Sequence, residues 1–113
     1  MPEQLSTETL LKIQQELDWA EEAFTSGNVA KARVCARRAV GWLVQSFKNS
    51  SYGTQIGENF RAIVADENVP EEIRAVAIRL QGGNRAELEG GIFSDEPLKD
   101  AEILLNYFKN NLQ

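Results

Sequence analysis

The residues of this sequence best suited to chemistry are five cations confined to one short stretch. Residues 27–48 hold five basic residues and no acidic one, in a chain whose formal net charge is -5. The five are Lys31, Arg33, Arg37, Arg38 and Lys48. Such a group either pairs with acidic neighbours in its own fold or binds an external anion such as RNA, a nucleotide or an acidic partner. The overall acidity argues against general nucleic-acid binding, which depends on neutralising phosphates.

The other reactive residue types are scarce or unfavourably placed. The sequence has no His, which removes the commonest general base and the usual metal ligand. The single cysteine, Cys35, stands among alanines in mid-helix, which predicts a buried, inert thiol. Neighbouring carboxylates such as Glu21 and Glu22 point in different directions on a helix and form no metal-binding pair. We therefore expect no catalytic residue, no metal site, no cofactor and no enzymatic activity.

These residues lie on two helices that must pair. Ser26-Gly27-Asn28 is a break long enough only for an antiparallel hairpin. The first helix follows Ser6, and its apolar stripe is Leu10, Ile13, Leu17, Ala20 and Phe24. The second helix is expected to run from Asn28 to about Asn49, and its core face is Ala32, Ala36, Ala39, Leu43 and Phe47.

The rest of the sequence also reads as helix. A short helix is predicted over residues 56–65, and Val69-Pro70-Glu71-Glu72 is typical of a new helix start, ended by Gly82-Gly83. A last amphipathic helix follows Asp95-Glu96-Pro97. No segment alternates at period two for long enough to form a strand. We predict one all-α domain over residues 1–113, an up-and-down bundle of four long helices plus one short helix.

Some apolar residues lie off the predicted core faces. Leu11 and Trp19 fall outside the stripe of the first helix, and Val34 and Val44 share the basic side of the second. An exposed Trp either lies flat over a neighbouring side chain or belongs to a contact surface. We take these four residues as interface candidates of a homodimer. In it, the acidic first helix of one copy would face the basic second helix of the other.

The spacing of these residues resembles the first helical hairpin of HEPN-type domains. The resemblance rests on Ala20-Glu21-Glu22-Ala23-Phe24, on Gly27, and on Lys31-Ala32-Arg33 followed by Cys35-Ala36-Arg37-Arg38-Ala39-Val40. Later segments agree, from Val69-Pro70-Glu71-Glu72-Ile73-Arg74 to Asp95-Glu96-Pro97-Leu98-Lys99-Asp100-Ala101. It implies a small up-and-down helical bundle and covers most of the chain.

HEPN domains often act as RNases through an Arg followed shortly by a His, and this chain has no His. The resemblance therefore implies a non-catalytic member that dimerises and binds RNA, a nucleotide or a partner protein such as a nucleotidyltransferase. Arg85 stands where relatives often place an Arg, so it joins Arg33, Arg37 and Lys48 as a ligand-binding candidate, the alternative being a solvated loop side chain.

Two other interpretations stay open. Ala20, Gly27, Ala32 and Ala39 also match the small-residue spacing of a tetratricopeptide hairpin, although no second copy follows about 34 residues along. The chain could equally be a structural protein–protein interaction subunit with no ligand. Residues 1–4 lack the basic and apolar regions of a signal peptide, and a single Cys suits a reducing compartment, so we expect a cytoplasmic protein without membrane segments.

Overall fold

A computed structural model of the chain describes residues 6–46, 55–81 and 94–111. The ligand-binding candidates Lys48 and Arg85 lie outside these ranges, as does Phe47 of the predicted core. The end predicted for the second helix, near Asn49, and the glycine pair 82–83 also lie outside them.

The described residues form helices and no strand, which confirms the all-α class. The helices are α1 (Thr7–Thr25), α2 (Val29–Gln45), α3 (Ile56–Ala65), α4 (Glu71–Gln81) and α5 (Pro97–Asn111). Three of them have 15 to 19 residues, whereas α3 has 10 and α4 has 11. The described part of the chain thus has three long helices and two short ones, where four and one were predicted.

The predicted break between the first two helices is confirmed. Gly27 has a φ of 88°, a left-handed conformation that favours glycine because it has no Cβ. The amide of Asn28 donates to the carbonyl of Ala23 at 2.8 Å, which closes the end of α1. The Asn28 side chain then accepts from the amide of Lys31 at 3.1 Å and caps α2. This turn sends α2 back along α1.

Helix α2 is the centre of the fold, because it contacts each of the other four described helices. Helix α1 packs on α2 and touches α5, but it contacts neither α3 nor α4. The small side chains of α2 allow this crowding, since Ala32, Ala36 and Ala39 are completely buried. Helix α1 therefore has a large side that no described helix covers.

The predicted stripe of α1 is only partly buried. Ile13 and Ala20 belong to the buried residues, but Leu10 is 43% exposed and Phe24 is 38% exposed. Ala23 and Glu16 are buried instead. The predicted apolar stripe is therefore rotated around the helix axis relative to the side that is actually buried. Helix α1 packs mainly on α2, so the residues that face α2 are the buried ones.

Val44 is corrected from an interface candidate to a core residue. Its side chain is 0% exposed and belongs to the hydrophobic core. Val44 follows Arg37 by seven residues, so both lie on the same side of α2. Arg37 contacts the end of α4, which shows that this side faces another helix rather than solvent. A second copy of the chain cannot reach Val44 there.

Candidate interaction site

Two cross-helix contacts define one face of the α1–α2 hairpin. The Glu16 carboxylate Oε2 lies 2.9 Å from Nε of Arg38. One turn earlier on α1, the Lys12 ammonium lies 4.3 Å from the centroid of the Trp42 ring. The paired residues run in opposite directions along the two helices, so these contacts also fix the antiparallel register.

Two of the interface candidates lie on the same face. Trp19 follows Glu16 by three residues and Val34 precedes Arg38 by four, spacings that keep side chains on one side of a helix. Trp19 is 42% exposed and Val34 is 41% exposed. Leu11, at 65% exposure, stands beside Lys12 at the edge of this face. We call the set the hairpin face, and its members are Leu11, Lys12, Glu16, Trp19, Val34, Arg38 and Trp42.

Glu16 lies beneath the middle of the hairpin face. It is only 3% exposed, although a charged side chain is rarely buried unless it is fully paired. Arg38 forms an ion pair with its Oε2, whereas Oε1 is buried without a hydrogen-bond partner. Leaving such an acceptor unsatisfied costs about 1–3 kcal/mol or more. The sequence signal for this residue was its spacing, three after Ile13 and four before Ala20, which the prediction passed over.

The buried carboxylate also acts on the only cysteine. Cys35 is buried, as predicted, and lies close enough to Glu16 and Arg38 to feel both charges. Burial raises the pKa of the Cys35 thiol, and the negative charge of Glu16 raises it further. The thiol form is therefore favoured over the nucleophilic thiolate. The inertness of this cysteine stays a prediction.

A groove opens where the hairpin face meets the start of α3. It has a volume of about 410 Å³ and is lined by Arg38, Trp42, Gln45, Gln55, Ile56 and Gly57. Its floor is close-packed, because a Cβ added to Gly41 would lie 2.8 Å from Cγ1 of Ile56. A Cβ on Gly57 would meet no atom within 4 Å. The groove mixes one cation, one aromatic ring and two amides, and its Arg38 is already paired with Glu16.

The other two arginines of α2 are used inside the fold. Arg37 donates from Nη1 to the carbonyl of Leu80 at 3.3 Å and also to that of Gln81. These are the last carbonyls of α4, where the helix dipole favours a positive charge. Burial lowers the pKa of Arg37, and the charge of Arg33 lowers it further. Arg33 donates from Nε to the carbonyl of Ser94 at 2.9 Å. Both residues therefore donate to main-chain carbonyls of the fold, whereas the pairing with an acidic neighbour described for α2 is that of Arg38 with Glu16.

A second polar network ties α4 to α5. Arg79 donates to both carboxylate oxygens of Asp100, at 3.0 Å from Nη2 and 3.4 Å from Nε. The Ser94 hydroxyl donates to the same carboxylate at 2.6 Å, and Ser94 is completely buried. The amide of Ser94 in turn donates to the carbonyl of Arg79 at 3.1 Å. Arg79 and Asp100 are 21 positions apart in sequence, and Ser94 and Asp100 are six apart. No local pattern in the sequence could therefore predict the network.

The structure thus separates the predicted site residues into two groups. Leu11, Trp19 and Val34 belong to the hairpin face, while Arg33 and Arg37 bind main-chain carbonyls near the ends of α4 and α5. Within residues 6–46, 55–81 and 94–111, no three His, Cys, Asp or Glu side chains are grouped so that they could hold a metal ion. None of the helices in these ranges has the length and apolar character needed to cross a membrane.

Comparison of the chain with protein-family models, with curated proteins and with solved structures found no match.

Proposed function

We propose that this chain is a non-catalytic interaction domain, a HEPN-like up-and-down helical bundle that forms a homodimer through its hairpin face. The observation that carries the proposal is the grouping of exposed apolar side chains on that face. Trp19 and Val34 are 42% and 41% exposed, and Leu11 at the edge of the face is 65% exposed. Grouped aromatic and aliphatic side chains are typical of interface centres.

The charges around the face support a second copy as the partner. The acidic residues of α1 that reach solvent are Glu8, Asp18, Glu21 and Glu22. On α2 the exposed cations are Lys31 and Arg38. A two-fold axis parallel to the helices sets α1 of one copy over α2 of the other, so each acidic helix faces a basic one.

The size of the face also suits a dimer. Helix α1 has 19 residues and is therefore about 28 Å long, and two adjacent helices are roughly 20 Å wide. Side chains make the accessible area larger than this flat outline. The face therefore approaches the roughly 800 Å² per partner that a standard interface buries.

A protein partner fits this surface better than RNA or a nucleotide does. The chain carries a net charge of -5, and phosphate binding needs free cations. Arg33 and Arg37 spend hydrogen-bond donors on carbonyls of the fold, and Arg38 pairs with Glu16. The dimer could in turn bind a further protein, of which a nucleotidyltransferase is the example that the HEPN resemblance provides.

Light scattering coupled to gel filtration tests the proposal. We expect the wild type to be a dimer at about 50–100 μM and Trp19→Glu to be a monomer that remains helical by circular dichroism, because the change removes an aromatic side chain from the contact and buries a charged group in its place. The matched control is Ile78→Glu, which changes an apolar residue of α4 that is 38% exposed and should leave the dimer intact. A monomeric wild type at these concentrations, or a dimer that Trp19→Glu leaves unchanged, would refute the proposal.

A further inference from the structure

The Glu16 carboxylate is only half satisfied within one copy of the chain. Its Oε2 is in an ion pair with Arg38, and its Oε1 is buried with no donor. Breaking or omitting hydrogen bonds to a buried charge is expensive, so evolved folds normally supply a donor. Among the described residues, Arg38 is the one cation that pairs with Glu16. Lys12, one turn earlier on α1, pairs with Glu8 at 3.2 Å instead. A donor from outside the chain would complete the carboxylate.

Arg38 has the donors that Glu16 lacks. Its Nε lies 2.9 Å from Oε2 of Glu16, and a guanidinium carries five N–H donors in a planar fork. Its side chain is 48% exposed, so the remaining donors can reach a molecule docked on the hairpin face. The ion pair therefore has an unused acceptor, Oε1 of Glu16, and unused N–H donors on the guanidinium of Arg38.

The antiparallel register brings these two ends together in a dimer. Because Glu16 and Arg38 are in contact, they lie at the same height along the hairpin. A two-fold axis parallel to the helices exchanges α1 and α2 but keeps every height. It therefore sets Arg38 of the second copy over Glu16 of the first, and Arg38 of the first over Glu16 of the second.

We propose that Glu16 and Arg38 pair reciprocally between two copies of the chain, so that Arg38 of each copy donates to Oε1 of Glu16 in the other. This inference rests on the proposed homodimer and adds the contact that fixes its register. Because Oε1 is buried in the single copy, Arg38 of the same copy shifts to admit the second guanidinium while its Nε stays beside Oε2. The rings of Trp19 and Trp42, on either side along the face, shield the four charges from water, which strengthens their attraction.

Mixing two complementary variants tests the contact between copies. Glu16→Gln keeps Arg38 but removes the negative charge that binds the guanidinium, and Arg38→Gln keeps Glu16 but removes the positive charge that binds the carboxylate. Each variant alone should dimerise at least 10-fold more weakly than the wild type, because both contacts between copies are lost. A heterodimer of the two regains one contact, from Arg38 of the first variant to Glu16 of the second. Neither chain of that heterodimer holds the pair within itself, so a purely structural role for the pair gives no recovery.

Native mass spectrometry of an equimolar mixture, with one variant labelled with ¹⁵N, measures the recovery. We expect the heterodimer well above the one-half share that random pairing gives. The matched control is Lys99→Gln, which removes an exposed cation of α5 and should leave dimerisation at the wild-type level. Circular dichroism checks that each variant is folded. If Glu16→Gln does not fold, Glu16→Met takes its place with the same expectation, because an apolar side chain of similar length tolerates burial.

The outcomes separate this inference from the proposed function. A heterodimer at the random share, in a wild type that dimerises and that Trp19→Glu dissociates, overturns the reciprocal pairing and leaves the interaction domain standing. A monomeric wild type overturns both. An excess of heterodimer supports both, because only a contact between copies produces it.

Discussion

Replacing Arg37 with Met tests whether this residue belongs to the fold or to a ligand site. Met keeps most of the apolar stem and removes the guanidinium, which donates to the carbonyls of Leu80 and Gln81. A hydrogen bond that involves a charged group contributes about 1.5–3 kcal/mol. Both bonds come from the same nitrogen, and the one to Leu80 is long at 3.3 Å. We therefore expect a loss of about 2 kcal/mol in the free energy of unfolding.

Urea denaturation followed by circular dichroism measures this loss, with the m-value expected to stay constant. For a domain of this size, 2 kcal/mol corresponds to a fall of roughly 8 °C in the melting temperature. The matched control is Arg61→Met, which removes an exposed arginine of α3 away from the hairpin face and should change stability by less than about 0.5 kcal/mol. If Arg37→Met unfolds within that same margin of the wild type, the helix-capping role is wrong and Arg37 returns as a ligand-binding candidate.

The remaining predictions concern the packing of α3 and the link between α4 and α5. Gly57→Ala should raise stability by about 0.5 kcal/mol in thermal melts, since its Cβ meets nothing within 4 Å. Gly41→Ala should instead lower stability by about 1–2 kcal/mol through contact with Ile56 at 2.8 Å, and the opposite order would contradict the close approach of α2 and α3. Asp100→Asn should cost about 2–4 kcal/mol in urea unfolding, because it weakens a bidentate ion pair and the bond from a buried hydroxyl, while the exposed control Glu102→Gln should have little effect. An equal response of these two variants would show that the Asp100 network contributes little.

Much of the helical framework could be predicted from local signals. The turn around Gly27, the start of α4 near Pro70 and the start of α5 near Pro97 all follow from residues whose backbone preferences act within a few positions. Ala32, Ala36, Ala39 and Leu43 of α2 are buried as their spacing predicted. The predicted bounds of α3, residues 56–65, match the structure, whereas α4, which was counted among the four long helices, has only 11 residues.

The candidate site was predicted only in part, because exposure depends on which neighbours a helix acquires. Trp19 and Val34 were identified as apolar residues on the wrong side of an amphipathic pattern, and both are exposed on one face. Val44 gave the same signal but is buried, because α2 has neighbours on several sides. Glu16 is the reverse case, a charged residue that is only 3% exposed and that the sequence analysis did not single out.

Sequence alone determined the helices, the hairpin and the side of each helix on which a residue lies. These features follow from the fixed period of the α-helix and from capping residues that act within a few positions. Only the tertiary structure decided which sides are covered and where the cations of α2 bind. Arg33 contacts a residue 61 positions away and Arg37 one that is 44 away, distances at which no periodicity in the sequence carries information. If α4 had ended elsewhere, the cations of α2 would have been available for an external anion. The last carbonyls of α4 lie beside Arg37 because α4 packs against α2, and this packing is decided by the tertiary structure.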